Sequence, residues 1–470
     1  MLYNKDLNKI AVRGVKYTKT YGELNNDVHV LMRHIEINGM QRIAIIAEQS
    51  YASYCTLWAA YLAGATLCCI GIDYPQERIK QCVDLFQPDI IISSVDIQFS
   101  CFISPEEFIS VALNEQKTQE SHKCLHQNNV LFVLFTSGST GDPKGVAVLR
   151  KAFEDVIDWA IGNLFMLTDD VVGQYCSISF DMGLCDVFLA LSVGAELVPI
   201  VGVSKLTPGR LISKYNISWI YAVPTLVDIF SKQRDFEKGN LKSLRQIGFG
   251  GAPLYERHMH YICENHRTLI IFNTYGPAET TLFTSCIIFI ASDFAHITSK
   301  SVCLGNPLPG VTYELEPIDD SLCELVILGD HCFTGYLNCV GDIDFPKATS
   351  LGRYATGDIV SFENENYYFV SRKDNQVKVR GNRVSLDGID AYISKLGYIS
   401  VSTIINERLV TFCKKDIDLT PNILIGYLGK YLPISHIPDE IIFKDDLPLN
   451  KNGKYDRVTL KEEYVKHAGE

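Results

Sequence analysis

Residues 132–145 read FVLFTSGSTGDPKG, an apolar run that gives way to hydroxyls, glycines and one lysine, Lys144. Closely spaced glycines let several backbone N–H groups converge on an anion, and a lysine adds countercharge. The chemistry open to such a stretch is phosphate binding; the plainer alternative is a solvated turn, the usual fate of Ser/Gly clusters. A Walker A loop is excluded. Counted from Gly138, its second glycine falls on Pro143, and Gly145 follows Lys144 where Ser or Thr is required. GVAVL (145–149) reads as a strand and not as the helix that a P-loop NTPase needs, so the loop is expected to join two strands. GFGGAP (248–253) likewise misses the dinucleotide fingerprint, with Pro253 at the third glycine position.

The elements that must carry this loop alternate. Residues 42–48 (RIAIIAE) read as a buried strand, 51–63 as a helix, 76–86 as a helix stopped by Pro88, and 90–93 as a strand. Strands at 217–223, 244–249 and 269–273 follow, with a helix at 254–266 between the last two. That rhythm predicts an α/β fold of mostly parallel sheets covered by helices. After about residue 300, short strands with Gly, Pro and Asn turns predict a β-rich subdomain reaching Val370. The charged stretch SRKDNQVKVRGNR (371–383) then marks a boundary. The expected division is a large N-terminal domain, 1–371, and a small α+β C-terminal domain, 375–470, with a hinge near 372–374.

A chain of 470 residues exceeds one hydrophobic core, which agrees with two domains. Apolar residues at 47% and charged residues at 21% are ordinary globular values. A net charge of −12 argues against non-specific nucleic-acid binding, which needs clustered Lys and Arg. The 15 cysteines are scattered without a C-x-x-C pair, which predicts buried reduced thiols and a reducing, cytoplasmic setting. No apolar run approaches the length of a membrane span, and the first residues (MLYNKDLNKI) lack the apolar core of a signal peptide.

TSGSTGDPKG resembles the phosphate-loop signature of adenylate-forming enzymes, and further motifs of that superfamily follow in order. They are TYGEL (20–24) and AYLAGATLCCIGIDYP (60–75), which precede the loop, and SFDMGLCDVF (179–188), NTYGPAETT (273–281), CELVILGDHCFTGYLN (323–338), YATGDIV (354–360), SRKDNQVKVRGNR (371–383), KYLPISHIP (430–438) and NKNGKYDR (450–457) after it. The resemblance spans about residues 20–457 and is closest to amino-acid adenylation domains of nonribosomal peptide synthetases and to D-alanine–carrier protein ligases. It implies attack of a carboxylate on the α-phosphate of ATP, giving an acyl-adenylate and pyrophosphate. It also implies a mobile C-terminal domain.

The resemblance assigns roles residue by residue. Thr136, Ser137, Gly138, Ser139, Thr140, Gly141 and Lys144 would cradle the β- and γ-phosphates. Glu279 would hold Mg²⁺, a hard cation on a hard oxygen. Tyr275 would stack on adenine, with Asn273 and the backbone of Gly250, Gly251 and Ala252 near its polar edge. Asp358 would accept from the ribose hydroxyls, and Arg372 would assist near the ribose or phosphate. Lys454, whose ammonium has three donors, would be the catalytic lysine contacting carboxylate and α-phosphate together. Asp181 stands where the amino-acid branch carries a carboxylate for the substrate's α-ammonium; the alternative job for it is capping the helix that follows. The rest of the pocket, carried over by motif spacing, is Met182, Cys185, Tyr221, Ile247, Phe249, Thr274, Leu282 and Phe283. None is charged and several are bulky, which predicts a small neutral amino acid such as alanine, glycine or serine.

Adenylates of this kind are passed to a thiol. Asp374 matches the hinge position, and Gly381 the loop along the pantetheine path, with domain rotation expected between the two steps. The expected partner is a carrier protein bearing phosphopantetheine, separate from this chain or cut from it, because no carrier domain or H-H-x-x-x-D-G motif occurs in the sequence. The alternatives are an acyl- or aryl-CoA ligase and a catalytically silent binding module. Asp181 argues against the first, and the presence of Lys144, Glu279, Asp358 and Lys454 against the second.

Overall fold

The structure, a computed structural model, describes residues 2–3, 5–97, 99, 102–115, 129–137, 142–296, 301–319, 321–332, 335–337, 352–379, 382–414, 420–449 and 455–468. Gly138, Ser139, Thr140, Gly141, Gly381 and Lys454 fall outside the described residues, as does the side chain of Ser137. The chain forms two compact units. One comprises Met1–Ile72, Leu85–Leu134 and Gly145–Ser371; the other comprises Asp73–Asp84, Phe135–Lys144 and Arg372–Glu470.

The first unit is α/β, as the alternating pattern predicts. Among the described residues a nine-stranded sheet has the order Asn306–Pro307, Ser285–Ile290, Ile270–Tyr275, Gln246–Phe249, Trp219–Ala222, Val171–Gln174, Glu196–Pro199, Ile10–Arg13, Thr18–Thr20. Its central pairings are parallel. A seven-stranded sheet has the order Tyr336–Leu337, Pro143–Leu149, Val130–Ser137, Thr66–Cys69, Arg42–Ile46, Ile90–Ser93, Phe102–Ile103. The loop TSGSTGDPKG therefore leaves one strand and enters its neighbour in the same sheet, as expected. The helices Tyr51–Ala63 and Gln76–Phe86 match their expected bounds, whereas 217–223 shortens to Trp219–Ala222.

Local chemistry explains the bounds. Thr20 begins the helix Tyr21–Ile37 with a reciprocal cap: Glu23 N–H donates to its hydroxyl at 3.2 Å, and Thr20 N–H donates to Glu23 Oε2 at 2.9 Å. The helices Tyr51–Ala63 and Asp181–Val193 end at Gly64 and Gly194, with φ of 80° and 92°, the left-handed conformation that glycine adopts without a Cβ penalty. Both are apolar on nearly every face, because their side chains share one buried cluster with strands of both sheets. Trp58 and Phe188 lie 4.8 Å apart at the centre of that cluster, with Phe132 and Phe153 against Phe188.

The expected β-rich region is a four-stranded sheet in the order Val311–Pro317, Cys323–Gly329, Arg353–Glu363, Asn366–Arg372. In the second unit, Ser400–Ile405, Arg408–Lys414 and Glu440–Lys444 form a three-stranded sheet, flanked by the helices Leu386–Ser394 and Arg457–Ala468. Arg457 Nη2 reaches Asp387 Oδ1 at 2.7 Å and Asp390 Oδ2 at 3.0 Å, and its Nε donates to the Ser402 carbonyl. Burial pushes the Asp390 carboxyl up to about 6, against the pull of Ser402 and Arg457. All described cysteines are free thiols, most of them buried. Among the described residues no helix is long and apolar enough to cross a membrane.

Candidate active site

The first unit gathers uncharged, buried side chains around the start of the helix Asp181–Val193. Asp181 is the first helical residue, and its Oδ1 accepts from the adjacent Met182 N–H at 2.8 Å. Phe180, at the cap position, makes no side-chain cap bond. Asp181 does not cap in the usual way from outside the helix. Met182 and Cys185 follow at one and four positions, so they share that face of the helix. Both are buried in the cluster that also contains Tyr221, Leu282 and Phe283.

Strand register decides which sheet residues join them. Tyr221 pairs with Gly248, and Gly248 with Phe272. Residues paired across neighbouring strands point to the same face, and those one position away to the other. Gly248 and Gly250 therefore share the face of Tyr221 and Thr274, and Ile247 and Phe249 do not. This corrects the expectation for Ile247 and Phe249, whose side chains belong to a separate cluster with Ile220, Ala222 and Leu226. The Tyr221 hydroxyl lies 2.6 Å from Thr274 Oγ1, which bonds the Phe249 carbonyl at 3.1 Å. Burial raises the Tyr221 phenol well above its ordinary pKa, and the nearby Cys185 thiol and Asp181 carboxylate add to the effect.

The residues expected around adenosine also assemble. The Tyr275 hydroxyl donates to Asp358 Oδ2 at 2.6 Å. Burial, then the Asp358 charge, raises the Tyr275 phenol, so it remains a donor at any ordinary pH. Asn273 is buried, and its Nδ2 donates to the Cys303 carbonyl at 2.9 Å. That bond fixes the amide orientation and leaves Oδ1 as a buried acceptor without a partner. An acceptor held in this way suits an exocyclic amine such as that of adenine. Gly251, with φ of 70°, turns the chain between Gly250 and Ala252, the residues expected at the adenine edge.

Glu279 is buried, and Tyr336 Oη donates to its Oε1 at 3.0 Å. Among the described residues no group of three His, Cys, Asp or Glu side chains could hold a metal ion. Mg²⁺ commonly needs only one or two carboxylates, the substrate phosphates completing its shell, and Glu279 fits that role. In the second unit, Arg372 forms a two-point contact with Asp374, Nε to Oδ1 at 2.6 Å and Nη2 to Oδ2 at 2.9 Å. That contact holds Asp374 below the usual carboxylate range despite its partial burial. Thr136 and Lys144 belong to the strands at either end of the phosphate loop. Leu449 and Tyr455, on either side of residues 450–454, pair as an antiparallel bridge.

Sequence reasoning missed three contributors. Tyr336 was quoted within a motif but given no task, although a tyrosine there is the donor that fixes Glu279. Gly248 has no role in the sequence reading, although the alternation I-G-F-G in a strand announces two faces. Asp186 is fully buried, and neither carboxylate oxygen has a hydrogen-bond partner; burial raises its pKa far above the usual range. No sequence signal separates that acid from a surface one except its apolar flanks.

The family model for AMP-binding enzymes matches residues 3–337. Bacitracin synthase 1 of Bacillus licheniformis is 28% identical over 94% of this chain, which spans 9% of that protein's length. Among solved structures, the Vibrio cholerae adenylation domain AlmE in complex with glycyl-adenosine-5'-phosphate matches with a TM-score of 0.81 at 21% identity, over 98% of this chain and 95% of that one. NpsA-ThdA, an artificially fused adenylation–PCP di-domain from Klebsiella oxytoca, matches with a TM-score of 0.77 at 21% identity, over 92% of this chain and 90% of that one.

Proposed function

Because the chain belongs to the AMP-binding enzyme family, we propose that it activates a small neutral amino acid with ATP and passes it to a carrier-protein thiol. In the first step a carboxylate oxygen bonds to the α-phosphorus as the bond to pyrophosphate breaks, leaving an aminoacyl-adenylate. The observation that carries the amino-acid reading is Asp181, an acid on the first turn of the helix whose residues Met182 and Cys185 belong to a buried, uncharged cluster. A carboxylate there pairs with an α-ammonium, and a charge-assisted bond of about 1.5–3 kcal/mol suffices to favour an amino acid over a simple acid.

Tyr275, Asn273 and the Gly250–Ala252 turn would take the adenine, Asp358 the ribose, and Thr136–Gly141 with Lys144 the phosphates. Mg²⁺ on Glu279 would supply charge neutralisation at the phosphate oxygens. Lys454 would bridge the carboxylate and the α-phosphate. The division into 1–371 and 375–470, with Arg372–Asp374 as hinge and Gly381 beside the thiol path, belongs to the same proposal. The glycyl-adenylate named for AlmE supports a small substrate, and the adenylation–PCP di-domain supports a phosphopantetheine-bearing partner. The test is amino-acid-dependent ATP–pyrophosphate exchange, with Asp181→Ala and Lys454→Ala alongside. Exchange with a small neutral amino acid that disappears in both variants is the expected result. Exchange with simple carboxylic acids alone, with product release requiring CoA, would replace this reading by a CoA ligase.

A further inference from the structure

Near Asp181 the protein's own rings fill the space over two glycines. A Cβ built on Gly248 would stand 1.9 Å from Phe272 Cζ, so the phenylalanine ring occupies the place of a side chain at 248. A Cβ on Gly250 would stand 2.7 Å from both Tyr221 Oη and Thr274 Oγ1. Two glycines on one face of the strand thus make room for two aromatic rings, which take space that a substrate side chain would otherwise use. The rings support each other: Tyr221 lies 5.3 Å from Phe272, and Trp219 stacks on Phe272 at 5.4 Å.

The Tyr221 hydroxyl is also locked. Thr274 has one hydroxyl proton, and its bond to the Phe249 carbonyl uses it. Tyr221 must therefore be the donor in the 2.6 Å contact, and the chain runs from Tyr221 to Thr274 to a backbone carbonyl. The walls are dry as well: Cys185 and Phe283 are 1% exposed, Tyr221 2%, and Met182 and Leu282 7%. Met182 finishes the closure, its sulfur 3.3 Å from where a Cβ on Gly251 would stand.

We propose that the amino acid activated is glycine, and that Tyr221, locked to Thr274 over Gly250, is the residue that excludes larger side chains. The inference rests on the amino-acid adenylation reading and sharpens it. Any larger side chain must displace a hydrogen-bonded ring that has no other partner to go to. A methyl group asks for a small shift; a branched or aromatic chain asks for the loss of the whole lock.

The experiment is ATP–pyrophosphate exchange by the full chain with glycine, L- and D-alanine, serine, valine, leucine and phenylalanine. It is run on the native protein, Tyr221→Ala and Thr274→Val. The native protein should prefer glycine over alanine at least tenfold and leave valine, leucine and phenylalanine at background. Tyr221→Ala should lose glycine activity and raise valine or leucine exchange at least tenfold over the native protein. Thr274→Val, which keeps the shape and removes the lock, should raise the alanine-to-glycine ratio. If Tyr221→Ala fails to fold, thermal shift of the native protein with non-hydrolysable glycyl, alanyl and leucyl sulfamoyl-adenosine decides, and only the glycyl compound should stabilise strongly. Native preference for a large amino acid, or unchanged selectivity in a folded Tyr221→Ala, overturns the inference and leaves amino-acid adenylation standing. Exchange with no amino acid sinks the adenylation reading beneath it.

Discussion

Tyr275→Phe is a near-isosteric change that separates two jobs of one residue. The ring remains for stacking, while the hydroxyl's 2.6 Å bond to Asp358 and its hydrogen bond with Thr356 are lost. Asp358 is buried at 6% exposure, so water cannot replace the missing donor freely. Hydrogen bonds to a charged group contribute about 1.5–3 kcal/mol, which is about tenfold to a hundredfold in an equilibrium. Asp358 N–H still bonds Thr356 Oγ1 and fixes the backbone, which favours the lower end of that range. The expected result is a rise of about tenfold in KM for ATP, with kcat for exchange within about threefold of native, because the ribose is remote from the reacting phosphorus. The ratio should be flat between pH 6 and 9, since burial keeps the Tyr275 phenol protonated throughout. With 3′-deoxy-ATP the penalty should shrink, because the carboxylate then has less to hold. A KM within twofold of native, or a penalty identical for ATP and 3′-deoxy-ATP, would refute the assignment of Asp358 to the ribose through Tyr275.

Three further outcomes follow from other residues. Tyr336→Phe removes the donor on Glu279 Oε1, so half-saturation by Mg²⁺ should rise about five- to twentyfold while KM for the amino acid holds; equal rises in both would mean a general collapse. His436 is buried, with its pKa driven down to about 3 by burial first and Arg78 second, so it is neutral when folded and takes a proton on unfolding below pH 6.5. Its stabilising share is present above pH 6.5 and is lost as pH falls, at up to about 1.4 kcal/mol per pH unit. His436→Met should therefore lose less stability than the native chain between pH 7.5 and 5.5 in urea titrations; parallel losses would show a protonated histidine in the fold. Asp186, held protonated by burial, contributes stability at acid pH that fades as pH rises above the ordinary carboxylate range. Asp186→Asn mimics the protonated acid and should gain on the native protein from pH 5 to pH 8, whereas a native advantage at pH 8 would mean an ionised, paired carboxylate.

Much of the α/β core was legible because its signals are local. The run 51–63 is apolar between Ser50 and Gly64, and cap, run and stop all lie within that stretch. The pocket was legible only in part. Asp181, Met182 and Cys185 lie on one helix, where three- and four-residue spacing fixes a shared face. Ile247 and Phe249 were misjudged because face assignment in a strand turns on a single position. The register is set by pairing with Trp219–Ala222, about 25 residues earlier in the chain, and motif spacing carries no such pairing. Hydrogen-bond partners were the least legible. Nothing in the sequence near Tyr336 points to Glu279, 57 residues away, because the contact depends on two sheets meeting correctly.

Glu279 and Asp358 share a design with a physical reason. Each is a buried carboxylate, and each accepts from a tyrosine hydroxyl, Tyr336 and Tyr275 respectively. A buried carboxylate needs donors to remain ionised, and the usual strong donors are Arg and Lys. In a site meant for a polyphosphate and Mg²⁺, a lysine in place of Tyr336 would set an added positive charge against Glu279. A phenol whose pKa is raised by burial donates as firmly as a neutral group can, yet adds no charge. The tyrosine therefore fixes the acid's direction without adding a charge. On this argument Tyr336→Lys should be worse than Tyr336→Phe at limiting Mg²⁺, although lysine restores a donor. If lysine instead rescued the Mg²⁺ dependence, the demand would be for any donor, and the case for a neutral one would fall.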